Sequence, residues 1–330
     1  MAEFLTFDTD LTAVANAIRV KGGTSAQLIY PSGFVSAIQA IQTGITPKLV
    51  VTTTPGAAIT ATPAEGFKVV KGTAGADGMC TLELPKAGTW HVTAMANSVS
   101  NSQHIVIGTQ NMLLPLYHDT FANNTWEEII TVCRTGIAPD SWAVGDSKSM
   151  NIGGTAYQVD IIGKNHDEYA DGSGTAPLTF QLHDCYSEAK QMYSTNLSGL
   201  GWKNTDMRLT YLPAILALMP AEVQNGIRAV NKKTSEGGNS TTIETVSDTL
   251  FLLSEVEIFG TASSSVAGEG SQYDYYKAGN PKIKKREGVD EFWWERSSAS
   301  GGMFCRVRAN GQAGASNASN SLGVSFAFCF

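Results

Sequence analysis

The chain has 330 residues, of which 42% are hydrophobic and only 16% are charged. That is apolar enough for packed cores and excludes a disordered chain; Gly, Ser, Thr and Asn replace the missing charge, which favours strands and loops over long helices. A net charge of -7 argues against a general nucleic-acid binder, and no apolar run is long enough for a membrane span.

Residues 1–45 read as a short helical module. Leu11, Val14, Ala15 and Ile18 recur at helical spacing behind a capping Asp10, and Gly22 and Gly23 stop the helix. Phe34, Ile38 and Ile41 repeat at the spacing of a second helix, closed by Gly44. Two such helices bury little alone, so the module is expected to pack on another copy or another protein. The opening Met1 to Asp10 lacks the basic and apolar regions of an export signal, so synthesis in a cytoplasm is expected. The run Leu11 to Arg19, then Lys21-Gly-Gly-Thr24 and Tyr30-Pro-Ser-Gly-Phe34, resembles a leader found on tail and minor structural proteins of phages that infect Firmicutes.

Residues 46–110 read as all-β. Leu49 to Val51, Phe67 to Val70, Cys80 to Leu84, Trp90 to Ala94 and His104 to Ile107 are short apolar or alternating runs separated by turn signals. The expected fold is a small immunoglobulin-like β-sandwich serving as a spacer, with Trp90, Val92 and Ala94 facing its core. His91 and His104 read as ordinary strand residues.

Residues 111–330 read as an α+β unit. Thr125 and Glu128 stand at capping-box spacing ahead of Ile129, Ile130 and Cys133. Gly153-Gly154 between two alternating runs predicts a tight hairpin. Leu178, Phe180 and Leu182 alternate as a strand, Asp206 to Met219 predicts a helix stopped by Pro220, and Leu250 to Leu253 predicts a buried strand. The five cysteines show no CxxC and no metal-ligand spacing, so buried free thiols are expected.

Several motifs stand in order through this unit: Val159-Asp-Ile-Ile-Gly163, Asn165-His-Asp167, Gly201-Trp-Lys-Asn204, Val230-Asn-Lys-Lys-Thr234, Trp293-Trp-Glu-Arg-Ser297 and the ending Leu322 to Phe330. Together they resemble a domain of unknown function abundant in gut bacteria and their prophages, related to the C-type lectin fold and to formylglycine-generating-enzyme-like domains. The chain departs from that pattern at Glu295, where Leu is usual, and at Ser298, where Pro often follows the Ser. Both departures fall at the lip of an irregular Gly-, Ser- and Asn-rich segment. The resemblance implies a multidomain α+β protein: helical leader, immunoglobulin-like β-sandwich, and a C-terminal C-type-lectin-like α+β domain.

An enzymatic centre would draw on His166, Asp167, Glu168 and Asp171, yet these lack HExxH and calcium-loop spacing and read better as a polar loop. His183-Asp184 has no nucleophile elbow to serve. The paired glycines match neither a dinucleotide fingerprint nor a P-loop, so no cofactor and no metal is expected.

Binding asks for less. Phe304 to Arg308 alternates, so Cys305 and Val307 share one face while Phe304, Arg306 and Arg308 share the other, read as outward. At least one of Trp293 and Trp294 is expected to anchor the core. Ser298, Ser300, Met303, Phe304, Arg306, Arg308, Asn310, Gln312, Ser316 and Asn317 are the expected contact residues, a mix of forked cations, aromatics and short polar groups. From Lys282 to Arg308 there are seven basic and four acidic side chains, a local attraction for an acidic partner.

The sequence thus predicts a phage virion protein, a tail fibre or receptor-binding protein. It is expected to contact a host-surface glycan or protein, attach to other virion proteins through residues 1–45, and form a homotrimer, without nucleic acid and without membrane insertion. Lectin-fold domains of this type also serve as scaffolds diversified by retroelements in some phages, which would make the same segment variable. The alternatives are a capsid or virion decoration protein and an enzyme acting on a host-surface glycan or peptide.

Overall fold

The computed structural model describes residues 12–18, 47–64, 68–85, 87–107, 110–238 and 240–330. It is a mixed α+β structure of several small, mainly antiparallel sheets with few helices, divided into two compact units at residues 1–116 and 117–330. In the leader, residues 12–18 are helical, with Ala15 and Ile18 buried and Val14 exposed. Asp10, the Gly22-Gly23 stop and the expected second helix around Phe34, Ile38 and Ile41 lie outside the described residues.

Among the described residues, the rest of the first unit has seven strands: β1 (Lys48–Thr52), β2 (Ala58–Pro63), β3 (Val70–Thr73), β4 (Met79–Glu83), β5 (Gly88–Ala96), β6 (Val99–Ile107) and β7 (Gln110–Leu113). They form two sheets, β4-β1-β7 and β3-β2-β5-β6. Period-2 alternation puts Leu49, Val51, Ile59, Leu82, Trp90, Val92 and Ala94 into one shared apolar cluster. Residues 111–113, read from the sequence as the start of the larger unit, instead continue from Gln110 as a strand paired in parallel with β1. His91 and His104 face each other across β5 and β6 with stacked rings, as strand neighbours do.

The second unit opens with α1 (Trp126–Arg134), whose Thr125–Glu128 capping box closes in both directions. A four-stranded sheet follows, ordered β18 (Ala327–Cys329), β10 (Leu178–Leu182), β9 (Thr155–Lys164), β8 (Ser147–Ile152). Gly153 and Gly154 turn β8 into β9 with φ of 58° and 91°, the left-handed pair that a two-residue hairpin demands. Every residue of β10 is buried, because this central strand is covered on both faces. Phe121, Trp126, Trp142, Phe180, Phe328 and Phe330 form its aromatic core.

Two expectations need correction here. The helix expected over residues 206–219 runs only from Asp206 to Leu216, and it is not regular: a π-helical turn at Met207–Tyr211 leads into α2 (Leu212–Leu216). Pro213 has no N–H to carry an α-ladder through this point. Leu250 to Leu253 is buried as expected but forms no strand; only Phe251 bridges, to Ala327. The unit is completed by α3 (Ala221–Gly226), a hairpin of β11 (Val230–Ser235) and β12 (Ile243–Asp248), α4 (Glu255–Phe259), α5 (Asp274–Lys277) and a short hairpin of β13 (Lys284–Arg286) and β14 (Val289–Glu291). Last comes a three-stranded sheet of β15 (Trp293–Ser298), β16 (Met303–Val307) and β17 (Ala313–Asn317).

Candidate recognition site

The β15-β16-β17 sheet carries the expected contact residues. Cys305 and Val307 point inward and are fully buried, as the alternation predicted. Arg306 is half-buried; its guanidinium lies 4.2 Å from the centre of the Phe292 ring, and its Nε donates to the Ala315 carbonyl. Arg308 is exposed, as are Ser300, Asn310, Gln312 and Asn317, while Met303 and Ser316 are half-buried. A tight turn, with Arg308 N donating to Gln312 O and Gly311 N to Arg308 O, presents Asn310 and Gln312 at the sheet edge.

Two of the expected contact residues are scaffold instead. Phe304 shares the outward face but is completely covered, because the segment around Tyr193 crosses it with ring centres 6.1 Å apart. That segment is tied down by Met192 N and Tyr193 N donating to the Ala318 carbonyl. Ser298 is buried and its hydroxyl donates to the Gly238 carbonyl. Trp293 and Trp294 are both core anchors, and each indole N–H donates to a backbone carbonyl, of Lys282 and Lys190 respectively.

Glu295 does not sit at a loop lip. Trp294 pairs with Arg306 and Ser298 with Phe304, so the three residues between them on β15 oppose the single residue Cys305. This bulge cancels the alternation of faces, and Glu295, Arg296 and Ser297 are all fully buried. Arg296 Nη1 and Nη2 both bond Glu257, and the guanidinium also donates to the carbonyls of Leu252, Lys233 and Glu269. Glu257 in turn is 2.7 Å from Lys232 Nζ, and Lys232 Nζ is 2.7 Å from Asp167 Oδ1. Thr179 and Tyr273 hydroxyls donate to the same Asp167 carboxylate.

Asp167, Lys232, Glu257 and Arg296 are therefore a buried chain of alternating charge that sums to zero. Burial alone would raise the Asp167 carboxyl, but Lys232 and Thr179 hold it down at about 2; burial likewise opposes, and Arg296 and Lys232 outweigh, for Glu257, which is also lowered. Every member is saturated and closed to solvent, so the chain can brace the fold but cannot meet a substrate. Its most legible signal in the sequence is Ser254-x-x-Glu257, a second capping box that fixes Glu257 at the start of α4. Lys232 is placed by β11, where Val230, Lys232 and Thr234 share the inward face.

Glu295 has a different environment. Neither carboxyl oxygen has a hydrogen-bond partner; burial first, then the neighbouring Glu255 and Glu269, push its pKa far up, so it is held as the neutral acid. Glu255 is kept ionised against its burial by the hydroxyls and amides of Ser263, Ser264 and Ser265.

The expected polar loop at 165–171 does not converge. His166 stacks on Tyr273 with ring centres 3.9 Å apart, Asp167 joins the buried chain, Glu168 is exposed, and Asp171 pairs with Arg228. No cluster of three or more metal-ligating side chains occurs among the described residues. A pairing that the sequence reading missed joins His183 Nδ1 to the buried Asp160 at 2.8 Å, with the Ser147 hydroxyl on the other Asp160 oxygen. The hydrogen bond to Asp160 raises the His183 pKa. All five cysteines are buried and free.

A family model described as a domain of unknown function (DUF6273) matches residues 179–330. The matched stretch begins at the second residue of β10 and includes all of the β15-β16-β17 sheet, called the outer sheet below. No curated protein and no solved structure matches the chain.

Proposed function

We propose that the chain is a bacteriophage virion protein, a tail fibre or receptor-binding protein that contacts the host surface through a lectin-like second unit. The observation that carries this reading is the outer sheet. One side is closed by Trp293, Cys305 and Val307; on the other, Trp294 and Phe304 are buried, and half-buried Arg306 and exposed Arg308 stand toward the turn that carries Asn310 and Gln312. Polar side chains held out by a rigid element are what a recognition surface requires. The leader resemblance supports a virion setting, with residues 1–45 as the attachment or trimerisation module and the seven-stranded unit as an immunoglobulin-like spacer. Several copies on one particle would multiply weak individual contacts.

The test is adsorption of the purified full chain to host cells. Loss of adsorption in Asn310→Ala/Gln312→Ala, with folding intact, supports the receptor reading; unchanged adsorption favours a decoration protein. Light scattering of the full chain tests the trimer, and a monomer counts against it. Diversification of residues 291–330 requires a reverse transcriptase gene and a near-copy of the segment in the neighbouring DNA.

The His183–Asp160 pair favours one second reading, an enzyme acting on a host-surface glycan or peptide, because a carboxylate-oriented imidazole suits proton transfer. Degradation of host surface material by the wild type but not by His183→Ala would establish it.

A further inference from the structure

Seven basic side chains lie between Lys282 and Arg308, and the structure sorts them. Lys285 pairs with Asp290, Arg286 with Glu291, and Arg296 with Glu257. Lys284 is buried on the carbonyls of Leu182 and His183, and Lys282 lies over the rings of Phe259 and Tyr276. Arg306 and Arg308, like Lys282 and Lys284, make no ion pair among the described residues, although the chain carries 30 acidic side chains against 23 basic ones.

The two are also held together. Arg306 is the register partner of Gly314, and Arg308 lies back across that same glycine. A β-carbon at position 314 would stand 2.9 Å from Arg308 Nε, so the glycine makes the room. Arg306 is fixed from below by Phe292 and from the side by the Ala315 carbonyl, while its Nη1 is buried with no hydrogen-bond partner. Two adjacent like charges without a counter-ion repel, and a buried charged donor left unpaired is costly. An anion bound between them offsets the repulsion, and a guanidinium fork suits a planar carboxylate.

We propose that Arg306 and Arg308 form a binding site for the carboxylate of an acidic saccharide. This rests on the reading of the outer sheet as the contact face and names the chemistry it takes. Phe292 and Ile283, both partly exposed beside the arginines and the Gly311 turn, offer apolar surface to a sugar ring. Asn310 and Gln312 offer amides to its hydroxyls. A bare phosphate chain uses the charge but neither of these.

The experiment measures binding of the full chain to a polyuronate, with dextran as the neutral control and a glycerol-phosphate polymer as the phosphate control. The polyuronate is expected to bind, dextran to bind far less, and binding to weaken with salt. Arg308→Gln, an exposed change that leaves the melting temperature in place, is expected to weaken polyuronate binding roughly tenfold or more. Arg308→Lys keeps the charge but loses the fork and is expected to fall between. Absence of polyuronate binding, equal binding by wild type and Arg308→Gln, or binding of the phosphate polymer alone overturns the proposal. Cell adsorption by wild type and Arg308→Gln alike, without polyuronate binding, removes the carboxylate site and leaves the receptor reading standing. Arginine-dependent polyuronate binding without cell adsorption does the reverse.

Discussion

Arg296 grips Glu257 with both terminal nitrogens of its guanidinium, and both side chains are buried. Removing one partner leaves an uncompensated buried charge. Arg296→Met is therefore expected to destabilise the second unit by about 3–5 kcal/mol, while Glu257→Leu with Arg296→Met costs less than either change alone. Urea unfolding followed by tryptophan fluorescence reads this directly, since five of the six tryptophans lie in residues 117–330. A double variant less stable than both single ones would contradict it.

Glu295 sets the alkaline side of the stability profile. Its folded pKa is raised, first by burial and then by Glu255 and Glu269, well above the ordinary 4.5. Between 4.5 and that higher value the folded state holds a proton that the unfolded state has lost. Stability therefore falls as pH rises through the window, by up to about 1.4 kcal/mol per pH unit from this group. Glu269, also raised, adds a slope of the same sign. Glu295→Leu is expected to flatten the decline and to raise the melting temperature at neutral pH. An unchanged slope above pH 4.5 in that variant would refute the assignment.

Asp167 sets the acid side. Its folded pKa of about 2 lies below the ordinary 3.8, so the unfolded state takes up the proton first as pH falls. The stabilisation is present above 3.8 and is lost on descent toward 2. Asp167→Asn should lower stability at pH 7 and show a shallower loss between pH 4 and 2 than the wild type. Melting temperatures across that range decide the matter, and parallel curves would count against it.

Phe304 and Gln312 separate packing from contact. Phe304→Ala is expected to cost about 3–5 kcal/mol of stability, as truncation of a buried ring does. Gln312→Ala is expected to change stability by less than about 0.5 kcal/mol while weakening adsorption. Thermal melts and cell binding measured on the same preparations check both halves.

Local signals were legible and long-range ones were not. The Thr125–Glu128 capping box, the Gly153-Gly154 turn and the inward row Trp90, Val92, Ala94 each depend on a few adjacent residues, and each formed as read. The alternation at Phe304 to Arg308 was also read correctly, yet burial of Phe304 depends on Tyr193, a distant segment that folds across it. The buried charge chain was invisible for the same reason, since Asp167 meets Lys232 65 residues away and Glu257 meets Arg296 39 residues away. The bulge at Glu295 to Ser297 then broke the period on which any face assignment depends.

The placement of β18 has a consequence for the making of the protein. This strand closes the free edge of β10, and the Gln181 side chain reaches the Ser325 carbonyl across 144 residues of sequence. At ribosomal speed β10 emerges roughly ten seconds or more before its partner. Through that interval a strand that is buried along its whole length in the finished fold has one bare edge, the kind of surface that recruits wrong partners. Nascent chains are thus most vulnerable while residues 183–326 are being added, and chaperone demand should peak there.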